Sequence, residues 1–315
     1  CITVGIVLMF AYYQNLRKEI DTRQKWLETV LTEEKKWILE NQGPEGEIYM
    51  NGSKAGDVNP YFACMAALGL LAETKNCPIT ETEKKAVGRY LDWHTGILLE
   101  TDGKMGIYRK ESGKLIYKEK ADSEDGYLGM YLFLMGKYLE KTESTDLPEY
   151  WKKGISLALK KIQSLMQDGI TQVSEENTTV YLMDNLEVWK GLYELEHAGL
   201  KDVQAIREMR NKLQAQIEKL FWDDANQRWR IIENSNLYHQ KEFYPDGVAQ
   251  IYPLIYEFPV KEKKKQKILY KQFTERFQWQ KLTKKRNGFL WAMTGMAAAQ
   301  MGDINNLLEL IRNYE

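Results

Sequence analysis

The chain has 315 residues, of which 43% are hydrophobic and 12% aromatic, enough apolar material for a large core. Its net charge of −1 excludes a nucleic-acid partner held by overall basic charge. Three cysteines and three histidines stand at scattered positions without the spacing of metal ligands, so we expect no metal and no other cofactor.

The chain opens on an apolar segment, residues 1–13 (CITVGIVLMFAYY), which precedes a polar helix. A bilayer span needs about 20 residues, so this segment is too short to cross a membrane by itself. We interpret it as the end of a signal peptide or signal anchor, or as a lipoprotein N-terminus at Cys1; the alternative is a buried first helix. A signal peptide, a signal anchor or a lipoprotein N-terminus each predicts an exported protein that contacts the membrane only through this segment.

Two kinds of predicted helix alternate along the rest of the chain. One-sided helices are predicted at 26–40, 82–98, 147–166, 203–221 and 260–277, and helices that are apolar all round at 60–72, 126–135, 180–195, 247–258 and 288–301. A helix with one apolar stripe lies on a surface, whereas one that is apolar all round is buried. The alternation therefore predicts an all-α fold, an α/α toroid with an inner ring of helices inside an outer ring.

The predicted connections also alternate in length. Those from outer to inner helices are long, and those from inner to outer helices are short, so every long loop emerges on the same face. Two of the long loops have the pattern of β-hairpins, residues 105–119 around Ser112-Gly113 and residues 228–238 with Asn234-Ser235 at the turn. Long ordered loops are usually functional, which predicts one functional face.

The repeated unit runs without a linker, so we expect residues 14–315 to form a single domain. Residues 303–315 look like the start of another outer helix. Because a closed ring of six hairpins needs a twelfth helix, we expect either that the chain is truncated or that an N-terminal helix takes the vacant place. We expect a monomer.

Acidic residues mark the start of four inner helices on this face. They are Asp57, then Asp122, Glu124 and Asp125, then Asp184, then Asp246. Aromatic residues stand close to them: Tyr61, Tyr127, Tyr181, Trp189 and Tyr244, with Trp291 at the matching place in the fifth helix. Any single Asp here is explained by helix capping. The recurrence beside aromatics instead favours glycosidic hydrolysis, which needs two carboxyl groups and platforms for sugar rings.

Three segments carry a resemblance to a known family. GDVNPYFACMAAL, ADSEDGYLGMYLFLM and FYPDGVAQIYPLIY resemble motifs of the six-hairpin glycosidases, and within them glycoside hydrolase family 8 and its relatives in bacterial exopolysaccharide operons. The resemblance implies a glycosidase acting on an extracellular or cell-wall polysaccharide. The chain departs from the family in two places. Asp57 stands where the family has a Glu, and the segment after Asp246, where the family usually carries an Arg, has Val248-Ala249-Gln250 instead. YLMDNLEVWKGLY is also similar to unsaturated-glucuronyl hydrolases, in which an inner-helix Asp is the acid/base, and this keeps Asp184 a candidate.

On this resemblance we assign Asp57 as general acid and Asp246 as the base that activates water. We expect inversion at the sugar carbon if their carboxyl groups lie about 6.5–9.5 Å apart, whereas about 5–5.5 Å would indicate retention. The remaining acidic and aromatic residues are expected to bind the polysaccharide. The alternatives are a glycan-binding or assembly protein without activity, an enzyme like the unsaturated-glucuronyl hydrolases, and a lyase or terpenoid cyclase. Sugar identity, linkage and endo or exo action stay open.

Overall fold

The computed structural model describes residues 21–50, 56–111, 114–144, 147–233, 242–260, 263–281 and 292–313, with side chains from residue 24 onward. Its helices are α1 (Asp21–Glu40), α2 (Pro60–Leu70), α3 (Glu81–Glu100), α4 (Glu124–Thr142), α5 (Glu149–Leu165), α6 (Leu182–His197), α7 (Gln204–Phe221), α8 (Val248–Ile255), α9 (Lys263–Phe277), α10 (Thr294–Gln300) and α11 (Ile304–Arg312). A π-helical turn, Phe243–Gly247, leads directly into α8. The apolar segment predicted at residues 1–13 lies outside the described residues.

The helices are of the two predicted kinds. Helix α4 is buried at every position from Asp125 to Gly136, whereas α7 buries only Ile206, Leu213, Ile217 and Phe221. Burial on all sides places α4 inside other helices, and burial on one stripe places α7 on the surface. The even-numbered helices thus form the inner ring and the odd-numbered helices the outer ring, which confirms the predicted toroid.

Short antiparallel strands lie in the connections that lead from outer to inner helices. They are β1 (Asp57–Val58), β2 (Gly106–Glu111), β3 (Lys114–Lys120), β4 (Met166–Gln167), β5 (Ile170–Thr171), β6 (Trp222–Asp223) and β7 (Arg228–Trp229). Strands β1, β2 and β3 form one sheet in that order, and β4–β5 and β6–β7 form separate hairpins.

The hairpin predicted at residues 105–119 is confirmed by β2 and β3, although its turn at 112–113 lies outside the described residues. The second predicted hairpin has a different partner, because Arg228 and Trp229 pair backward with Asp223 and Trp222. The turn proposed for it falls in residues 234–241, which are also outside the described residues.

Helices α4 and α6 approach each other without intervening side chains. A Cβ added at Gly191 on α6 would lie 2.3 Å from the carbonyl oxygen of Gly129 on α4, and one added at Gly129 would lie 2.7 Å from the Glu187 backbone. Two turns further along α4, a Cβ added at Gly136 would lie 2.5 Å from the Glu194 backbone. Glycine is required at these positions because the two backbones are in direct contact.

A network of ion pairs, centred on the buried Lys190 and Glu194, joins the inner helices toward their C-terminal ends. Lys190 on α6 lies 2.7 Å from Glu194 and 2.8 Å from Glu257, which follows α8. Lys137 on α4 pairs with Glu194 at 3.0 Å, and Gln300 on α10 donates to Glu257 at 2.6 Å. The network therefore links α4, α6, α8 and α10.

Across the ranges that carry a description, no helix has the length and apolar character to span a bilayer.

Candidate functional site

Four inner helices converge on one carboxylate, that of Glu187 in the second turn of α6. This side chain is only 3% exposed. Its Oε1 atom accepts hydrogen bonds from the Tyr61 hydroxyl on α2 at 2.5 Å and from the Tyr252 hydroxyl on α8 at 2.6 Å. The Tyr256 hydroxyl, just after α8, donates to the same oxygen at 3.4 Å. The three tyrosine hydroxyls therefore fix Oε1 in place.

The other oxygen, Oε2, lies over the first turn of α4. A Cβ added at Gly126 would be 2.5 Å from it, so the glycine makes room for the carboxylate. Burial raises the pKa of Glu187 to about 7, against the lowering effect of the Tyr252 and Tyr61 hydrogen bonds. Since Oε1 is occupied by donors, the titrating proton belongs on Oε2. A carboxyl group with a pKa near neutrality can give up and take back a proton.

A second buried carboxyl group, that of Asp125, opens α4 beside Glu187. It is fully buried, and burial raises its pKa above the ordinary value of a carboxyl group, against the lowering effect of its hydrogen bonds. Its Oδ1 accepts from the Ser123 hydroxyl at 2.8 Å and from the Gly126 amide at 3.0 Å. Its Oδ2 lies 2.7 Å from the Thr171 hydroxyl on β5. Ser123, and not one of the predicted acidic residues, is the N-cap of α4.

Asp184 and Asp122 complete a cluster of four carboxyl groups. Asp184 is half-buried one turn before Glu187 on α6, and burial together with the charges of Asp125 and Glu187 holds its pKa well above the usual value. Asp122 is the exposed member, and its negative charge contributes to the raised pKa of Asp184 and of Glu187. Glu124, predicted to belong with them, pairs with Lys120 at 3.4 Å.

Four of the predicted aromatic residues lie around this cluster. The rings of Tyr61 and Tyr127 are 5.6 Å apart, and the pKa of Tyr127 is raised by burial and by the charge of Asp122. Tyr244 is 49% exposed, and burial of its hydroxyl together with the charges of Glu187 and Asp184 raises its pKa to about 12. Tyr181 is half-buried and precedes α6 as its N-cap. An exposed ring beside acidic groups suits the apolar face of a sugar.

The fifth described candidate, Trp189, lies elsewhere. It is 2% exposed, stacks on Tyr193 at 5.3 Å and donates to Gln214 on the outer helix α7 at 3.3 Å. Its ring therefore faces the outer layer, and the structure argues against its predicted role as a sugar platform. Trp291, the remaining aromatic prediction, lies outside the described residues.

Asp57 also differs from its predicted role. It stands in β1 opposite Arg109 of β2, and the helix cap two residues later is Asn59. Arg109 Nε donates to Asp57 Oδ1 at 2.6 Å, and Lys118 Nζ donates to Oδ2 at 2.8 Å. These two hydrogen bonds lower the pKa of Asp57 to about 2. A general acid must hold a proton near neutral pH, so this environment argues against Asp57 in that role.

Asp246 lies in the π-helical turn before α8 and is 5% exposed. Its carbonyl oxygen accepts from the Gln250 side chain at 3.2 Å, which ties the turn to the helix that follows. The predicted role of Asp246 as the base that activates water stays a prediction.

The site residues predicted from the sequence do not include Glu187, Tyr252 or Tyr256. The predicted acidic residues all stand at helix starts, whereas Glu187 lies one turn further into α6. The available signal was a carboxylate on a helix that is apolar all round, three residues after Asp184 and hence on the same face. Where side chains are described, His, Cys, Asp and Glu form no group of three suited to a metal ion.

Scans against protein-family models and against curated proteins gave no match. Solved structures share the fold. A glycosidase variant in complex with glucose matches 94% of this chain and 84% of its own, with a TM-score of 0.65 and 11% identity. A family 76 mannosidase from Bacteroides thetaiotaomicron VPI-5482 matches 99% and 86%, with a TM-score of 0.54 and 9% identity. A sugar epimerase from a ruminal bacterium matches 96% and 75%, with a TM-score of 0.55 and 10% identity.

These matches support the expected six-hairpin glycosidase fold and give no support to the finer expectation of a nearest likeness to family 8. Because the fold serves both glycosidases and an epimerase, the chemistry has to be argued from the site. The chain has the α/α toroid fold of these carbohydrate-active enzymes, with a cluster of carboxyl groups at the start of its inner helices.

Proposed function

We propose that the protein is a glycoside hydrolase whose active site is the carboxyl cluster of Asp122, Asp125, Asp184 and Glu187. The observation that carries the proposal is the state of Glu187: one oxygen is fixed by tyrosines, and its pKa is about 7. Cleavage of a glycosidic bond needs an acid that is protonated when the substrate binds and ionised after the leaving group departs. Glu187 has the pKa that this cycle requires.

Glu187 is the general acid in this proposal. The Tyr61 and Tyr252 hydroxyls hold Oε1, so that Oε2 presents its proton to the oxygen of the glycosidic bond. When the proton leaves, the same two hydroxyls stabilise the new negative charge, because hydrogen bonds to an ionised group are stronger than those to a neutral one. This replaces Asp57, whose two cationic partners keep it ionised.

Asp122 is the second carboxylate. It is the exposed member of the cluster, and its charge raises the pKa of Glu187, Asp184, Tyr127 and Tyr244, so it lies within electrostatic range of all four groups. An exposed carboxylate has water beside it and can remove a proton from that water as it attacks the sugar carbon. Activation of water for direct attack on the sugar carbon corresponds to an inverting reaction.

The substrate proposed here is an extracellular or cell-wall polysaccharide. The exposed Tyr244 ring and the half-buried Tyr61 and Tyr181 rings would carry sugar units on either side of the acidic cluster. Glycosidase structures with the same fold, one solved with glucose and one named as a mannosidase, support glucans and mannans as the first polymers to test.

The test is release of reducing ends from mannans, glucans, xylan, chitosan and bacterial exopolysaccharides. We expect Glu187→Gln and Asp122→Asn each to lower kcat at least about 100-fold, the usual contribution of a general acid or base. Asp57→Asn is expected to keep most of the activity. Glu275→Gln serves as the matched control, because Glu275 is an exposed residue of the outer helix α9.

Activity that survives both Glu187→Gln and Asp122→Asn would keep the hydrolase and reject the assigned residues. Loss in Asp57→Asn without loss of fold would restore the role predicted from the sequence. No release from any polymer, with measurable binding to one, would favour the glycan-binding alternative. Proton NMR of the first-formed anomer then decides between inversion and retention.

A further inference from the structure

The Thr171 hydroxyl lies between two oxygen acceptors on the rim of the acidic cluster. Its Oγ1 atom is 2.7 Å from Asp125 Oδ2 and 2.8 Å from Asn185 Oδ1. A hydroxyl group has one hydrogen and can donate to only one of these oxygens. If Asp125 were ionised, both oxygens beside the Thr171 hydroxyl would be acceptors, and one of the two contacts would have no hydrogen.

The orientation of the Asn185 amide is fixed by its other contacts. Its Nδ2 donates to the carbonyl oxygens of Thr171 at 2.9 Å and Tyr181 at 2.8 Å, which uses both of its hydrogens. Its Oδ1 accepts from the Thr171 backbone amide at 2.8 Å. Exchanging the amide oxygen and nitrogen would break all three bonds. Asn185 Oδ1 is therefore an acceptor, and the Thr171 hydrogen points toward it.

The remaining contact, between Thr171 Oγ1 and Asp125 Oδ2, then needs a hydrogen from Asp125. We infer that Asp125 carries a proton on Oδ2 in the folded protein and donates it to Thr171, which in turn donates to Asn185. In this arrangement every hydrogen-bonding atom of the buried chain is satisfied. Asp125 is then a neutral positioning residue that joins α4, β5 and α6.

The charges around Asp125 agree with this assignment. Asp184 and Glu187 face it from α6, and Asp122 precedes it on the chain. Lys120, the nearest basic residue before it, pairs instead with Glu124 and Glu176. A further negative charge placed among these carboxyl groups would be costly. For catalysis, which rests on the function proposed above, a neutral Asp125 means that the negative charge beside Glu187 comes from the exposed Asp122.

Asp125→Asn is the decisive variant, because an amide Nδ2 in the place of the protonated Oδ2 donates to Thr171 in the same way. Its Oδ1 still accepts from Ser123 and Gly126. We expect Asp125→Asn to keep the midpoint of urea unfolding of the unmodified protein. Asp125→Ala and Thr171→Val, which interrupt the chain, are expected to lower that midpoint. Equal damage from Asn and Ala would overturn the assignment.

The pH profile gives a readout that packing alone would not move. If Asp125 is neutral, Asp125→Asn removes no charge. The basic limb of the pH dependence of kcat, which is assigned to Glu187, then stays at the same pH. If Asp125 is ionised, its removal would ease deprotonation of Glu187 and shift that limb to lower pH, which would contradict the proposal.

A second measurement does not depend on activity. The infrared carbonyl band of a protonated carboxylic acid, recorded on the full chain at mildly acidic pH, should lose one component in Asp125→Asn and keep it in the exposed control Glu275→Gln. A spectrum unchanged by Asp125→Asn would reject the proton on Asp125. If the band is lost while no polysaccharide is hydrolysed, the proton assignment stands and the proposed function fails.

Discussion

At the scale of the residue, two opposing effects meet on Glu187. Burial disfavours the charged carboxylate, and tyrosine hydroxyls favour it, with burial the larger effect. A hydrogen bond to an ionised group contributes about 1.5–3 kcal/mol, and one pKa unit corresponds to about 1.4 kcal/mol. The hydroxyls therefore keep the pKa of Glu187 from rising further above its ordinary value.

Tyr252→Phe removes one of the two short hydrogen bonds to Oε1 and leaves the ring in place. Because that bond lowers the pKa of Glu187, its loss should raise the pKa by about one unit. The group that must be protonated for activity then stays protonated to higher pH, so the basic limb of kcat should move up by about the same amount. The pH dependence of kcat measures this, with Tyr270→Phe as control, since Tyr270 bonds Asp303 away from the site. A limb that moves down would reject Glu187 as the general acid.

The tyrosines around the cluster were predictable as individual residues, whereas the pair of Glu187 with Tyr252 was not. Tyr61 and Tyr127 stand close in sequence to acidic residues at helix starts. Glu187 and Tyr252 are 65 positions apart, and their contact depends on how α6 and α8 cross. For Asp57, the sequence could not show that the strands carrying Arg109 and Lys118 fold back beside it.

At the scale of the element, the contact between α4 and α6 determines where the carboxyl groups stand. Asp125 is on α4, and Asp184 and Glu187 are on α6, so the distance between these helices sets the distances within the cluster. Gly129 and Gly191 allow the two backbones to touch. The alternation of apolar and one-sided helices predicted which helices are inner, but a glycine within such a helix gave no indication of which neighbour it contacts.

Gly191→Ala would place a Cβ 2.3 Å from the Gly129 carbonyl oxygen, which no rotamer can relieve. Overpacking of this kind costs about 1–3 kcal/mol or more. We expect a loss of stability of about 3 kcal/mol in urea unfolding and a fall in activity, because the helices must separate. The control is Gly88→Ala on the outer helix α3, where the nearest atom is the Tyr138 hydroxyl at 3.1 Å and alanine favours the helix by up to about 1 kcal/mol. Equal stability of the two variants would show that the close approach is not needed.

At the scale of the whole molecule, the inner ring carries carboxyl groups at one end and a mixed-charge network at the other. The network of Lys190, Glu194, Glu257 and Lys137 pairs its charges, whereas the cluster at the mouth concentrates like charges. The face that bears the long loops was predictable from loop lengths alone. The buried network was not, because its lysines and glutamates look in sequence like a solvated face.

Lys190→Met tests whether the charge network at one end of the ring and the carboxyl cluster at the other act independently. It removes a partner of the buried Glu194, which keeps Lys137, and of Glu257, which is 35% exposed and keeps Gln300. Because these partners remain, we expect a cost near the lower end of the about 3–5 kcal/mol for breaking a buried pair. We expect a large drop in unfolding free energy but an unchanged pH profile for the fraction that stays folded, since Lys190 takes no part in the cluster. Lys271→Met, which removes an exposed ion pair with Glu275, should change stability by less than about 1 kcal/mol. A shifted pH profile in Lys190→Met would mean that the two ends are electrostatically coupled.

The direct contact of α4 with α6 has a further consequence for how this protein can change. The carboxyl groups are carried by two helices whose backbones are in direct contact, whereas the connections that lead into the inner helices are loops and hairpins. Substitutions in those loops can alter which polymer is accommodated while the spacing of the acidic groups stays constant. New substrate preferences should therefore arise, in selection experiments, from the connections before α2, α6 and α8, with the glycines and carboxylates left untouched.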